Sequence, residues 1–570
     1  MRSRFPRDLV EPARGTRVAQ GRRVRRLPSI AVVLALVGCE GVVLDDPASP
    51  GRATSASYEP GPAVLPRLTA RQYRRSVEDL LGGPVPESAV EADTTPFLFA
   101  SIGAASTTLS ARGAQQFEEA AHVAADAVFA DEARRGALVG CAPASADDLC
   151  ARAFVARFLR RAFRRAIEDD ELERWMTLAR VEPDVWRGLA SLVAGALQSP
   201  SFVYRVELGD PDPTRPGWSR LHGYELASRL SFVLWGRVPD AALLDAAERG
   251  VLDTHEGLRH EARRLLGDDR ARETVRAFFR EYLGLAALDA LDRDPTLFPS
   301  FTPALGRSMR GEIERLVEHV VFEQDGDFRA IFDSPVTFVD APLAALYELP
   351  IALDDADEEG FVRVTLPAGG VRAGLLTTAG FLAAQAHPNL TSPTRRGKFV
   401  RERLLCQLVA DPPQDIELDL GEAEDDDGRP RTLRERLAMH RENPACATCH
   451  AQIDPIGLGM EDFDAIGAHR TLEAGRAIDA TGDLDALAFE GARELGELMR
   501  HDGRVPACVT RQLFRHAIGR LEEERERRAI EELTERFAES GFRFRELLFA
   551  LVTSEAFRTV RTTEIEEEAR

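Results

Sequence analysis

Apolar residues recur at three- and four-residue intervals through most of the chain between residues 66 and 350, and that period commits the segment to helices. The first stretch, Leu68 to Gly82, shows the pattern. Tyr73, Val77, Leu80 and Leu81 fall on one face, Thr69 is a good N-cap, and Gly82 stops the element. An Ala-rich, acidic amphipathic helix follows over 113–139. In 153–165, Phe154, Phe158 and Leu159 face a core while Arg residues take the other side, where nearby acids can pair with them. Helical patterning continues through 169–208, 221–250, 254–285 and 302–324. Val336 to Val339 and Phe361 to Leu366 are among the few strand-like runs, and no repeat of fixed period is present. Further helices are expected at Ala373–Ala384, from Thr391 to Cys406, at 431–441 and in four pieces between 490 and 557, with an exposed acidic loop at 411–430. The expected fold class is therefore mostly all-α. Two packed helical domains, 66–350 and 371–570, are expected to meet across an acidic, Gly-containing junction at 350–370.

The N-terminus has the layout of an export signal. Arg22, Arg23, Arg25 and Arg26 precede a short apolar run, Ser29 to Val37, which is too short to span a bilayer. Leu36-Val37-Gly38-Cys39 matches a bacterial lipobox, so residues 1–38 are expected to be removed and Cys39 to carry lipid. Glu40, rather than Asp, follows that cysteine and favours the outer membrane. Residues 39–65, rich in Pro, Gly, Ser and Ala, read as a disordered tether. The expected location is the cell envelope, lipid-anchored and exported, in the outer membrane or facing the periplasm. The chain's formal charge of -21 includes an excess of Arg in the leader, so the part after it is more acidic still, which argues against nucleic acid as a partner.

Asn443-Pro-Ala-Cys446-Ala-Thr-Cys449-His450 is the stretch with the most specific chemistry. C-x-x-C-H is the attachment signature of c-type haem: two thiols add to the two vinyl groups at one ring edge, and the following imidazole gives the iron an axial nitrogen. The same residues are also the raw material of a disulfide, or of half a zinc site. Of the other cysteines, Cys141 and Cys150 flank a short loop and are expected to bond. Cys406 and Cys508 either pair with each other or join Cys446 and Cys449 as a four-thiol zinc site. Met460, and Met499 further on, are available as a sixth iron ligand, although a Met on an apolar face is more often core. Asp454, Glu461 and Asp464 surround the motif. They serve either to orient His450, to bind metal or to donate protons, or else as turn and cap residues. Arg395, Arg396 and Lys398 offer partners for haem propionates or for surface acids.

Several stretches occur together in a recognisable order. They are Leu68-Thr-Ala-Arg-Gln-Tyr73, Phe158-Leu-Arg-Arg-Ala-Phe-Arg-Arg165, Leu226-Ala-Ser-Arg-Leu-Ser-Phe-Val-Leu-Trp235, Thr391-Ser-Pro-Thr-Arg-Arg-Gly-Lys398, His440 through Gly457, Phe463-Asp-Ala-Ile-Gly467 and Ala517-Ile-Gly-Arg520. The whole resembles a bacterial family of exported multidomain proteins known by the domain-of-unknown-function labels 1587, 1595, 1592, 1588 and 1585. The resemblance covers nearly everything after residue 65. It implies a His at the place of His440, which makes His440 the first choice for the sixth ligand, with a turn at Asn443-Pro444 folding it back toward His450.

These features point to an exported lipoprotein with haem c that transfers electrons to a redox partner protein of the envelope. Alternatives are a haem-dependent oxidoreductase with an open sixth position, and a non-catalytic scaffold in which the motif is a disulfide or zinc staple. No Ser-His-Asp order, GxGxxG or phosphate loop supports a hydrolase or nucleotide enzyme.

Overall fold

Thr69 opens the first helix as its sequence suggests. Its hydroxyl accepts the Gln72 N–H, Gln72 returns a bond to the Thr69 N–H, and helix Ala70–Leu80 buries Tyr73, Val77 and Leu80. The computed structural model describes residues 57–410, 424, 425 and 427–562. The expected signal, Cys39, most of the tether and residues 411–423 of the acidic loop lie outside the described residues.

The fold is helical, with a few short strands. A first hydrophobic core runs from Leu68 to Val203 and also takes in Phe232 and Val238. In it helices Ala111–Ala130, Leu149–Phe163 and Val185–Gln198 pack together through Phe117, Phe154, Phe158 and Leu192. The expected Cys141–Cys150 disulfide closes the loop ahead of helix Leu149–Phe163. The Arg run on that helix divides. Arg160 and Arg165 pair with acids as anticipated, while Arg164 is buried and donates to the carbonyls of Ala162, Ser201, Phe202 and Tyr204.

A second core extends from Leu221 to Val560 and also takes in Phe99 and Ile102. Both anticipated strands form, and they pair antiparallel, Val336–Val339 against Val362–Thr365. That pairing spans the stretch expected to join two domains. Leu343 and Leu376, on either side of it, belong to the same core.

Residues 57–63, expected to be the end of the tether, are held in place. Pro60 and Gly61 are buried, and the Gly61 N–H donates to Glu526. The Tyr58 hydroxyl bonds that of Thr559, and Ala63 and Gly61 exchange backbone bonds with Arg561. Strand Thr559–Arg561 in turn pairs with Trp218–Arg220. Among the described residues no helix is long and apolar enough to cross a membrane.

Candidate functional site

Two helices and a turn build the site. Helix Leu433–His440 begins at a capping box, Thr432 with Glu435, and ends at His440. The Asn443 N–H donates to the His440 carbonyl, and the Asn443 carbonyl accepts from Cys446 and Ala447. Pro444, which has no N–H to lose, then starts helix Pro444–Leu458, here called the motif helix. This turn brings the His440 and His450 rings into edge-to-face contact, with centroids 4.6 Å apart at 70°.

The motif helix puts Cys446, Cys449 and His450 within one turn of each other on one side. Cys446 is buried and Cys449 half-buried, and both are free thiols. The Cys449 thiol lies 3.9 Å from the Ala410 carbonyl. His450 Nδ1 is 3.0 and 3.1 Å from the two oxygens of Asp454, one turn on. Asp454 is 0 % exposed and also accepts the Thr394 hydroxyl at 2.8 Å. Among the described residues no Lys or Arg pairs with it.

Thr394 reaches Asp454 because its helix, Pro393–Phe399, packs against the motif helix at backbone contact. A Cβ added at Gly457 would stand 1.8 Å from the Pro393 carbonyl oxygen, and one at Gly397 1.8 Å from that of Ile453. Only glycine permits this approach.

Five family models match the chain in order, each described as a protein of unknown function: DUF1587 over residues 67–130, DUF1595 over 150–207, DUF1592 over 221–349, DUF1588 over 372–473 and DUF1585 over 486–557. The chain belongs to this family. No curated protein and no solved structure matches it.

The whole candidate site lies in the DUF1588 stretch, and that stretch corrects several expectations. Cys406 bonds to Cys508, in helix Arg504–Ile518 of the DUF1585 stretch, so the four-thiol zinc arrangement with Cys446 and Cys449 does not assemble. Met460 follows His450 by ten residues, roughly 15 Å along a helix, and its side chain is fully buried in the second core. Met499 is buried in the same core, so neither reaches His450 as a ligand. His440 does reach it, but the rings touch directly, whereas two axial imidazoles hold a metal between them.

The basic residues of the DUF1588 stretch are also differently employed. Arg396 is fully buried, paired with Glu461 and donating to the carbonyls of Met460, Phe463 and Asp464. It fixes the chain beyond the motif helix and does not face solvent. Arg395 donates to the Ala386 carbonyl, and Lys398 lies 3.6 Å from Glu402. Among the acids, Glu461 meets Arg396, Arg470 and Thr391. Asp464 accepts the N–H groups of Ile466 and Ala468 as a turn residue. Burial pushes both carboxyls above the usual range and lifts Asp462 to about 6. Asp454 alone of the set orients His450. Thr394, its second partner, went unnoticed in the sequence, and only the closeness of the two helices reveals it.

Proposed function

We propose that the motif helix carries a covalently attached haem c, held by Cys446 and Cys449 with His450 as axial ligand, in an exported, lipid-anchored protein that passes electrons to a redox partner of the cell envelope. The observation that carries this reading is Asp454. A carboxylate without solvent, placed on Nδ1 of His450 and steadied by Thr394, fixes the imidazole tautomer, leaves Nε2 as the donor and favours a cation there. The donor set suits haem rather than a bare ion. Two unbonded thiols stand one turn from that imidazole, while the other four described cysteines are oxidised in pairs. Those disulfides support an oxidising compartment and hence export.

When bound, the haem supplies a one-electron redox centre. The chain's own parts divide the work. Cys446 and Cys449 anchor the ring to a helix pressed against its neighbour through Gly397 and Gly457. His450 would give the nitrogen, its ring held in place by Asp454, and His440 stands beside it.

The full chain, co-expressed with haem-maturation genes in a periplasm, is expected to give a pyridine haemochrome spectrum and a haem-sized gain in intact mass. Both should vanish in Cys446→Ala/Cys449→Ala. A colourless protein of unmodified mass, under conditions that mature a control cytochrome, rules the reading out.

A further inference from the structure

A cleft of about 180 Å³ opens beside helix Leu433–His440, and none of Cys446, Cys449 and His450 lines it. Phe298, Leu390 and Leu433 form an apolar wall. Arg431, Arg436 and Arg470 face it, together with Asp464 and Glu473. The two acids are committed to backbone: Asp464 accepts the N–H groups of Ile466 and Ala468, and Glu473 that of Leu433. Arg470 donates to Glu461, and Arg431 to the Glu424 carbonyl.

Arg436 differs. Its side chain makes no hydrogen bond or ion pair with the other described residues, and its Nε is buried without an acceptor. A guanidinium N–H stripped of water and given no acceptor is destabilising unless something completes it. The missing group is an anion, and the planar fork of Arg matches a carboxylate. Size narrows the choice. The cleft is smaller than pockets for drug-sized ligands, which hold roughly 300–1,000 Å³, so it takes one small acid or one carboxylate arm of something larger.

We infer that this cleft is a binding site for a carboxylate on a short apolar body, with Arg436 as its anchor. Two sources carry that chemistry: a free organic acid, and a propionate arm of the haem proposed at Cys446 and Cys449. Arg436 precedes His440 by one helical turn, and His440 touches His450, so the cleft adjoins the proposed haem site.

The test starts from the full chain carrying Cys446→Ala and Cys449→Ala, which makes it independent of haem attachment. Benzoate is titrated by calorimetry, with benzamide as the uncharged control of the same shape. Benzoate is expected to bind at least tenfold more tightly than benzamide, and Arg436→Gln to weaken it by roughly tenfold to a hundredfold, the worth of a charge-assisted hydrogen bond. Arg436→Lys, which keeps the charge and loses the fork, should fall between. The thermal midpoint of the ligand-free protein should not fall, because the Arg436 side chain holds no other group in place and its replacement removes an unpaired buried donor. Absent benzoate binding, equal binding of benzamide, or a benzoate affinity that Arg436→Gln leaves unchanged overturns the assignment. The haem-loaded wild type then separates the sources. Benzoate binding that persists supports the site with a free acid as its occupant. Binding lost on haem loading supports it with the propionate arm in place. A protein that never takes up haem defeats the electron-transfer reading and leaves the cleft test intact.

Discussion

Replacing Gly457 by Ala measures how tightly the motif helix is pressed onto its neighbour. The new Cβ meets the Pro393 carbonyl oxygen at 1.8 Å, where ordinary contact begins at 3.4 Å, so the helices must open by about 1.6 Å. That movement carries Asp454, 2.8 Å from the Thr394 hydroxyl, out of hydrogen-bonding reach. Overpacking costs about 1–3 kcal/mol, and the lost bond to a charged group about 1.5–3 kcal/mol. Better helix propensity returns about 1 kcal/mol. The clash wins, by about 1.5–5 kcal/mol. Amide exchange of residues 444–458, read by mass spectrometry, should therefore speed up by roughly ten- to a few thousand-fold. Gly136→Ala is the contrast. That glycine sits in helix Glu132–Val139 with nothing within 4 Å of its added Cβ, so the same substitution should stabilise by about 1 kcal/mol. If Gly457→Ala leaves exchange in the motif helix within about threefold of wild type, the close crossing is not what holds the site.

Three further outcomes follow from the same structure. Opening the Cys406–Cys508 bond with a Cys→Ser pair should lower stability by about 4–5 kcal/mol, against about 2–3 kcal/mol for Cys141–Cys150, because the closed loops span 102 and 9 residues; equal losses in urea unfolding would refute the loop-entropy account. Burial lifts the carboxyl of Glu312 to about 7, despite hydrogen bonds from Thr337 and Tyr347. The unfolded chain gives up that proton first, near the ordinary value of about 4.3. The folded state thus holds more protons between the two values, and stability should fall as pH rises through that window and then level. Glu312→Gln should flatten that slope, and an unchanged slope in pH-dependent melting would mean the group is not held neutral. In haem-loaded protein, Asp454→Asn should raise the midpoint potential, since a neutral partner on Nδ1 makes His450 a weaker donor; a potential that stays put would detach Asp454 from the iron.

What local pattern encodes was readable in the chain. The face of Tyr73, Val77 and Leu80, the Thr69 cap, both strands of the 336–365 pair and the turn that returns His440 to His450 all depend on residues close in sequence. Both disulfides were legible too, Cys141–Cys150 from its short loop and Cys406–Cys508 as one of two options. What escaped depends on distant neighbours. Arg396 looks like any basic residue of a helix start until Glu461 and three carbonyls, more than sixty residues on, enclose it. Gly397 and Gly457 carry no signal apart, because only their meeting gives them a purpose. The 350–370 stretch shows a related limit: charge and glycine report exposure, whereas the pairing of Val336–Val339 with Val362–Thr365 brings its flanks into one core.

The joining of residues 58–63 to 526–561 has a consequence for how the protein is made. Tyr58 meets Thr559 across 501 residues, and the strand that locks Gly61 and Ala63 leaves the ribosome that much later than they do. At roughly 5–20 residues per second, the early segment waits about 25–100 s for its partner. The nascent chain thus has its first helices long before it can close. Strand Thr559–Arg561 acts as a latch, so a chain lacking it would leave residues 58–63 unfastened.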